Sequence, residues 1–194
     1  MDHSSAIRLP VLSILRCEHR IPCSPGTLAI SYLSPLLAIV VGIVHASLAP
    51  VIEIGGVKPN LVLVAVVLVT CLVGFLPGVT WAFVGGLTAN LLVGDPLGSV
   101  PLAMLIAAAL VAGGARAFGR MIWIYPVVAA FVASVVADLI GLAIARLVTD
   151  AAAGPLPVQI ILAAALLNAA LVALFLVPAR ALAVRFVPEE ATAW

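Results

Sequence analysis

Two polar side chains stand out in the second half of this chain because long apolar runs surround them. Asp138 lies in the apolar run 122–148, and Asn168 lies in the run 156–184. At about 1.5 Å of rise per helical residue, they lie roughly 15 and 18 Å from the same side of two successive helices. These residue types at this spacing permit a hydrogen bond between helices, or a site for a proton or a polar ligand.

The cost of a carboxylate in hydrocarbon makes Asp138 the more informative of the two. Insertion into a bilayer costs such a group about 2.5–3.5 kcal/mol, so it needs a partner or a function. Transport paths usually contain several ionisable groups, and only Asp138 lies deep in an apolar run. We therefore favour a structural Asp138–Asn168 hydrogen bond, and keep the ligand or proton site as the alternative.

The remaining polar residues form no arrangement that is typical of an enzyme. The sequence has no nucleophile–base pair, no glycine-rich phosphate loop and no paired carboxylates. Cys17, Cys23 and Cys71 lack the spacing of a zinc site. No basic patch has the density that phosphate binding needs. We expect a non-enzymatic protein with no metal or cofactor and no nucleic-acid partner.

The composition predicts an integral membrane protein. Of the 194 residues, 65% are hydrophobic and 9% are charged, whereas soluble domains carry about 25% charged residues. Breakers divide the chain into six apolar segments that can cross a bilayer. They run over residues 28–49, 61–76, 77–93, 100–118, 122–148 and 156–184.

These segments predict an all-α bundle of six transmembrane helices over residues 28–187, after a basic leader 1–27 and before a short tail 188–194. With both termini in the cytoplasm, only Lys58 and Arg146 of the 9 Lys and Arg residues lie outside. That asymmetry fits the positive-inside rule. We expect a multi-pass protein of a bacterial cytoplasmic (inner) membrane.

The stretch VGGLTANLLVGDPLGS ends the third segment with an unusual set of residues. Asp95 and Gly98, with the glycine and proline beside them, predict a tight turn at the outer surface, where a carboxylate costs little. Asn90 lies about one turn earlier and can tie this turn to a neighbour. Gly86 lies deeper, where close contact between helices favours glycine.

Over about residues 30–187 the chain resembles the rod-shape-determining protein MreD family. The run VKPNLVLVAVVLV matches the Lys/Arg-Pro-Asn signature of that family's second span with Lys58, Pro59 and Asn60. The glycine-rich segment FVGGLTANLLVGDPLGS is similar to the family's third span. Asn90 stands where the family usually has aspartate, which puts a charged role there in doubt and keeps an acceptor oxygen.

Two later runs extend the resemblance to the last two spans. VAAFVASVVADLIGLAIARLV places Asp138 where the family often has aspartate, and LLNAALVALFLVPAR includes Asn168. The resemblance implies a scaffold of the machinery that elongates the cell wall, binding the bitopic protein MreC. It also implies association with RodA and a transpeptidase penicillin-binding protein, and with MreB indirectly, in contact with membrane lipids.

A second class of protein remains open, because MreD-like proteins resemble in fold the S components of energy-coupling-factor vitamin transporters. Such a subunit docks through small residues in its first span, here Ala38, Gly42 and Ala46. It also needs an outward pocket with convergent polar and aromatic groups. The sequence offers few candidates for that pocket, namely Trp81, Asn90, Asp138 and Asn168.

Overall fold

The computed structural model describes residues 25–48, 51–52, 56–94, 96–117, 124–149 and 157–186. The chain divides into two compact units, Met1–Tyr32 and Leu33–Trp194. In the first unit, the described residues 25–32 are helical. Most of the predicted leader, the tail 188–194 and Asp95 lie outside the described residues. The helix bundle and its cavity belong to the second unit.

Six α-helices make up the regular secondary structure of the described residues, as the six apolar segments predict. The predicted ends differ from the observed ones by a few residues. The helices are α1 Pro25–Leu48, α2 Leu61–Leu72, α3 Phe75–Val93, α4 Ser99–Ala117, α5 Tyr125–Thr149 and α6 Val158–Phe186.

Four of these helices, α3 to α6, are long and apolar enough to cross a membrane. Between 22% and 33% of their most apolar stretches is buried within the protein. The remaining surface carries large apolar side chains such as Phe83, Leu110 and Leu166, which a lipid environment accommodates and water does not. The protein is therefore helical and compatible with a membrane bundle.

The largest difference from the predicted segments lies between α2 and α3. The prediction extends the second segment to residue 76, but α2 ends at Leu72 and α3 begins at Phe75. Gly74 joins them with φ +133°, a conformation that side chains with a Cβ rarely adopt. Pro77 falls in the first turn of α3 instead of starting it, and that turn tolerates proline because its amides lack intrahelical partners.

Helix α2 lies at the centre of the bundle and is much shorter than its neighbours. It contacts α3, α4, α5 and α6, and seven of its 12 residues are buried. A helix of this length spans about 18 Å, whereas the hydrocarbon core of a bilayer is about 30 Å thick. In the chain that enters α2, Val57 and Pro59 are buried, whereas Gly56 and Lys58 are exposed.

Small residues let neighbouring helices come close to each other in this bundle. A Cβ on Gly42 of α1 would lie 3.0 Å from the Gly85 carbonyl oxygen of α3. A Cβ on Gly86 would lie 2.9 Å from the Pro101 Cα of α4. In α6, Ala165 and Ala169 are buried, but Ala173, four residues further on, is exposed.

Replacing Gly86 with alanine tests this packing. The added Cβ collides with backbone, and overpacking of this kind costs about 1–3 kcal/mol. A Cβ added at Gly113 of the neighbouring helix would have no atom within 4 Å, so Gly113→Ala gains only helix propensity. Thermal unfolding in detergent should give Gly86→Ala the lower midpoint. Equal midpoints for the two variants would contradict close α3–α4 packing at this position.

Candidate binding site at one end of the helix bundle

The start of α2 is capped by its own sequence. The Asn60 side chain accepts a hydrogen bond from the Leu63 amide at 3.0 Å, which satisfies one of the amides that a helix start leaves without an intrahelical partner. The Asn60 carbonyl accepts the Val64 amide at 3.1 Å, which closes the first turn. Pro59, which has no amide to satisfy, is buried just before the cap.

A second asparagine satisfies the backbone of the cap itself. The Asn60 amide donates to Asn168 Oδ1 of α6 at 2.8 Å. The other end of the same side chain, Asn168 Nδ2, donates to Ser134 Oγ of α5 at 2.8 Å. Asn168 and Ser134 are each 1% exposed. One buried amide therefore joins α6 to the start of α2 and to α5.

This arrangement differs from the predicted hydrogen bond between Asp138 and Asn168. Asn168 does link α5 to α6, but its partner on α5 is Ser134, one helical turn before Asp138. The cause is the start of α2, because the Asn60 amide holds Asn168 Oδ1 and the opposite Nδ2 then faces Ser134. Ser134 was absent from the predicted site, although a small polar residue four positions before Asp138 lies on the same helix face.

The turn between α3 and α4 is held by Asn90. Its Oδ1 accepts the Gly98 amide at 2.7 Å, and its carbonyl accepts the Gly94 amide at 3.3 Å. Gly98 has φ +90°, where a Cβ would strain the backbone. The Asn90 side chain therefore acts as a hydrogen-bond acceptor within this turn, and Asn90 is buried.

The start of α2 and the α3–α4 turn line one cavity, together with the end of α5 and the start of α6. The cavity has a volume of about 510 Å³ and is partly open, within the range of about 300–1,000 Å³ that is usual for small-molecule sites. Its lining is mostly apolar. Among the described residues, the polar or charged side chains that line it are Lys58, Asn60, Ser99 and Asp138.

Asp138 is the lining residue whose hydrogen bonding is incomplete. Its Oδ2 is buried and has no hydrogen-bond partner among the described residues. A buried carboxyl oxygen in apolar surroundings without a hydrogen-bond partner is costly. Of the four residues that the sequence offers for a polar pocket, Asp138 lines the cavity, and Trp81, Asn90 and Asn168 do not. Trp81 Nε1 instead donates to Ser34 Oγ of α1 at 2.7 Å.

The structure thus brings together part of the predicted site. Lys58, Asn60 and Asp138 line the cavity. Asn168 does not line it but positions Asn60 by accepting the Asn60 amide. Asn90 and Gly98 shape the adjacent turn, and Gly86 lies in the α3–α4 packing below that turn.

Replacing Asn168 with leucine tests the central hydrogen bonds. The substitution leaves the Asn60 amide and Ser134 hydroxyl without this partner, at a cost of about 1–3 kcal/mol. Ser134→Ala should cost less, since the serine takes part in one of the two bonds. The double variant should cost less than the sum of the singles, because both changes remove the same interaction.

Chaotrope unfolding of the purified protein in detergent measures these differences. Thr80→Val is the control, because Thr80 is exposed and bonds only within its own helix, to the Leu76 carbonyl at 3.1 Å. If Asn168→Leu unfolds no more readily than this control, Asn168 does not hold the start of α2.

Comparisons with protein-family models, with curated proteins and with solved structures find no match for this chain.

Proposed function

We propose that this protein is a non-enzymatic scaffold of the cell-wall elongation machinery in a bacterial cytoplasmic membrane. In this proposal it crosses the membrane six times, keeps both termini in the cytoplasm and binds the bitopic protein MreC. Through that complex it helps to organise RodA and a transpeptidase penicillin-binding protein, with MreB as an indirect partner.

One observation carries the proposal beyond the sequence resemblance. Two of the motifs on which the resemblance rests are far apart in sequence but adjacent in the structure. Lys58 and Asn60 from the first motif line the same cavity as Pro96 and Ser99 from the second. Their shared location supports a common role at this end of the bundle. We call it the cavity end; α2, α4 and α6 begin there and α5 ends there.

The cavity end also presents side chains suited to a protein partner. Leu97, at the tip of the α3–α4 turn, is 81% exposed, and Lys58 is exposed beside the same cavity. An exposed leucine next to a lysine can contact an apolar span and the polar segment that follows it. The charge distribution of the sequence supports an outward position for this end.

Affinity recovery of MreC from native membranes tests the proposal. The tagged protein, extracted in mild detergent, should recover MreC, and Leu97→Lys should reduce that recovery about tenfold, as loss of an interface anchor does. Leu76→Lys is the matched control, because Leu76 is 65% exposed at the opposite end of α3. Absence of MreC from the wild-type complex would contradict the function, and equal losses in both variants would contradict this docking surface.

The cavity favours a second candidate function, the substrate-binding S component of an energy-coupling-factor vitamin transporter. A partly open, mostly apolar space of about 510 Å³ with Asp138 in its wall is the kind of feature such a subunit needs. The same affinity experiment separates the two candidates. Recovery of a pair of transporter ATPases and their membrane coupling subunit, without MreC, would replace the scaffold by this transporter function.

A further inference from the structure

The cavity brings together side chains of opposite charge from different parts of the chain. Lys58 precedes α2, and Asp138 belongs to the second half of α5, yet both line the same space. Around them the lining is apolar and includes Val57, Met104 and Leu142. A ligand that fits this lining combines an apolar body with charged groups of both signs.

The hydrogen bonds of Asn168 show that the two charged residues lie at similar depth. Asn168 bonds the Asn60 amide at one end of its side chain and Ser134 Oγ at the other. The start of α2 and Ser134 therefore lie at similar positions along the bundle, because a single asparagine side chain reaches both. Asp138 lies four residues, about 6 Å along the helix, nearer the cavity end than Ser134. Lys58, two residues before Asn60, lies on that same side.

The helix starts around the cavity add positive electrostatic potential. Asn60 caps α2, Ser99 is the first residue of α4, and Pro157 directly precedes α6, and all three line the cavity. A helix N-terminus carries a partial positive charge that favours anions. Together with Lys58 these termini suit an anionic group, whereas the carboxylate of Asp138 suits a cationic donor.

We propose that the cavity binds a zwitterionic amphiphile, with an ammonium group donating to Asp138 and an adjacent phosphate or carboxylate near Lys58 and the helix starts. The apolar part of the ligand contacts the apolar lining. The ligand enters either from the bilayer, as the headgroup of a zwitterionic phospholipid, or from water, as a free zwitterion. This inference does not depend on the scaffold function, because it concerns the chain alone.

Lipid binding to the purified full-length protein tests the proposal. Native mass spectrometry in detergent gives the Kd for phosphatidylethanolamine and for phosphatidylglycerol with the same acyl chains. Phosphatidylethanolamine should bind at least about tenfold more tightly, because only its headgroup has an ammonium group to donate to a carboxylate. Free phosphoethanolamine, tested alone and as a competitor, separates the two sources.

Binding of phosphatidylethanolamine that free phosphoethanolamine does not displace assigns the ligand to the bilayer. Binding of phosphoethanolamine alone assigns it to the aqueous phase, and binding of both shows that the headgroup is sufficient. Each of these results supports the site. Equal affinity for the two lipids, without phosphoethanolamine binding, or no binding of any of the three probes overturns the proposal.

Two glycines provide a matched pair of blocking and control variants. Gly141 lines the cavity, Gly113 does not, and a Cβ added at either would have no atom within 4 Å. Gly141→Leu should therefore fold, occupy part of the cavity and weaken binding at least about tenfold, whereas Gly113→Leu should bind as the wild type does. Asp138→Asn should weaken phosphatidylethanolamine binding about tenfold by removing the charge. Wild-type affinity in a folded Gly141→Leu variant would overturn the assignment of the site to this cavity.

Discussion

The bundle depends on how the backbone at the start of α2 is satisfied inside it. Backbone groups that are buried without a hydrogen-bond partner cost free energy, and a helix start leaves amides without intrahelical partners. Two asparagines meet this requirement. Asn60 caps the helix with its side chain, and Asn168 accepts the Asn60 amide while donating to Ser134. Three helices are thus fixed relative to one another by one amide group.

The cavity is a consequence of the same constraint. Helix α2 has only 12 residues, and the cavity lies beyond its start, among residues of α4, α5 and α6. Residues 56–60 border that space and bring Lys58 to it. The Asn90–Gly98 hydrogen bond holds the α3–α4 turn, which also borders the cavity through Pro96. The segments that these asparagines hold in place, the start of α2 and the α3–α4 turn, therefore also border the cavity for which we propose a binding role.

Much of this arrangement can be predicted from the sequence, because apolar length and breakers define the helices directly. Even so, the α2–α3 break at Gly74 was displaced from its predicted place, since proline is accepted in a first helical turn as well as between helices. The Asn90 turn was predictable from its glycines and proline. The partner of Asn168 was not, because Ser134 and Asp138 share one face of α5 and only the position of the Asn60 amide selects between them. The cavity could not be predicted either, since it depends on where the start of α2 lies relative to α4, α5 and α6.

The most direct test of this account is the hydrogen-exchange rate of the Asn60 backbone amide in the native protein, measured by NMR in a lipid nanodisc. The Lys58 amide in the preceding segment is the internal reference. The account predicts that the Asn60 amide exchanges as slowly as amides within α2, because it is bonded to a buried side chain of α6. Exchange of the Asn60 amide at the rate of an unprotected loop amide would contradict it, since α2 would then begin in contact with water and without the support of Asn168.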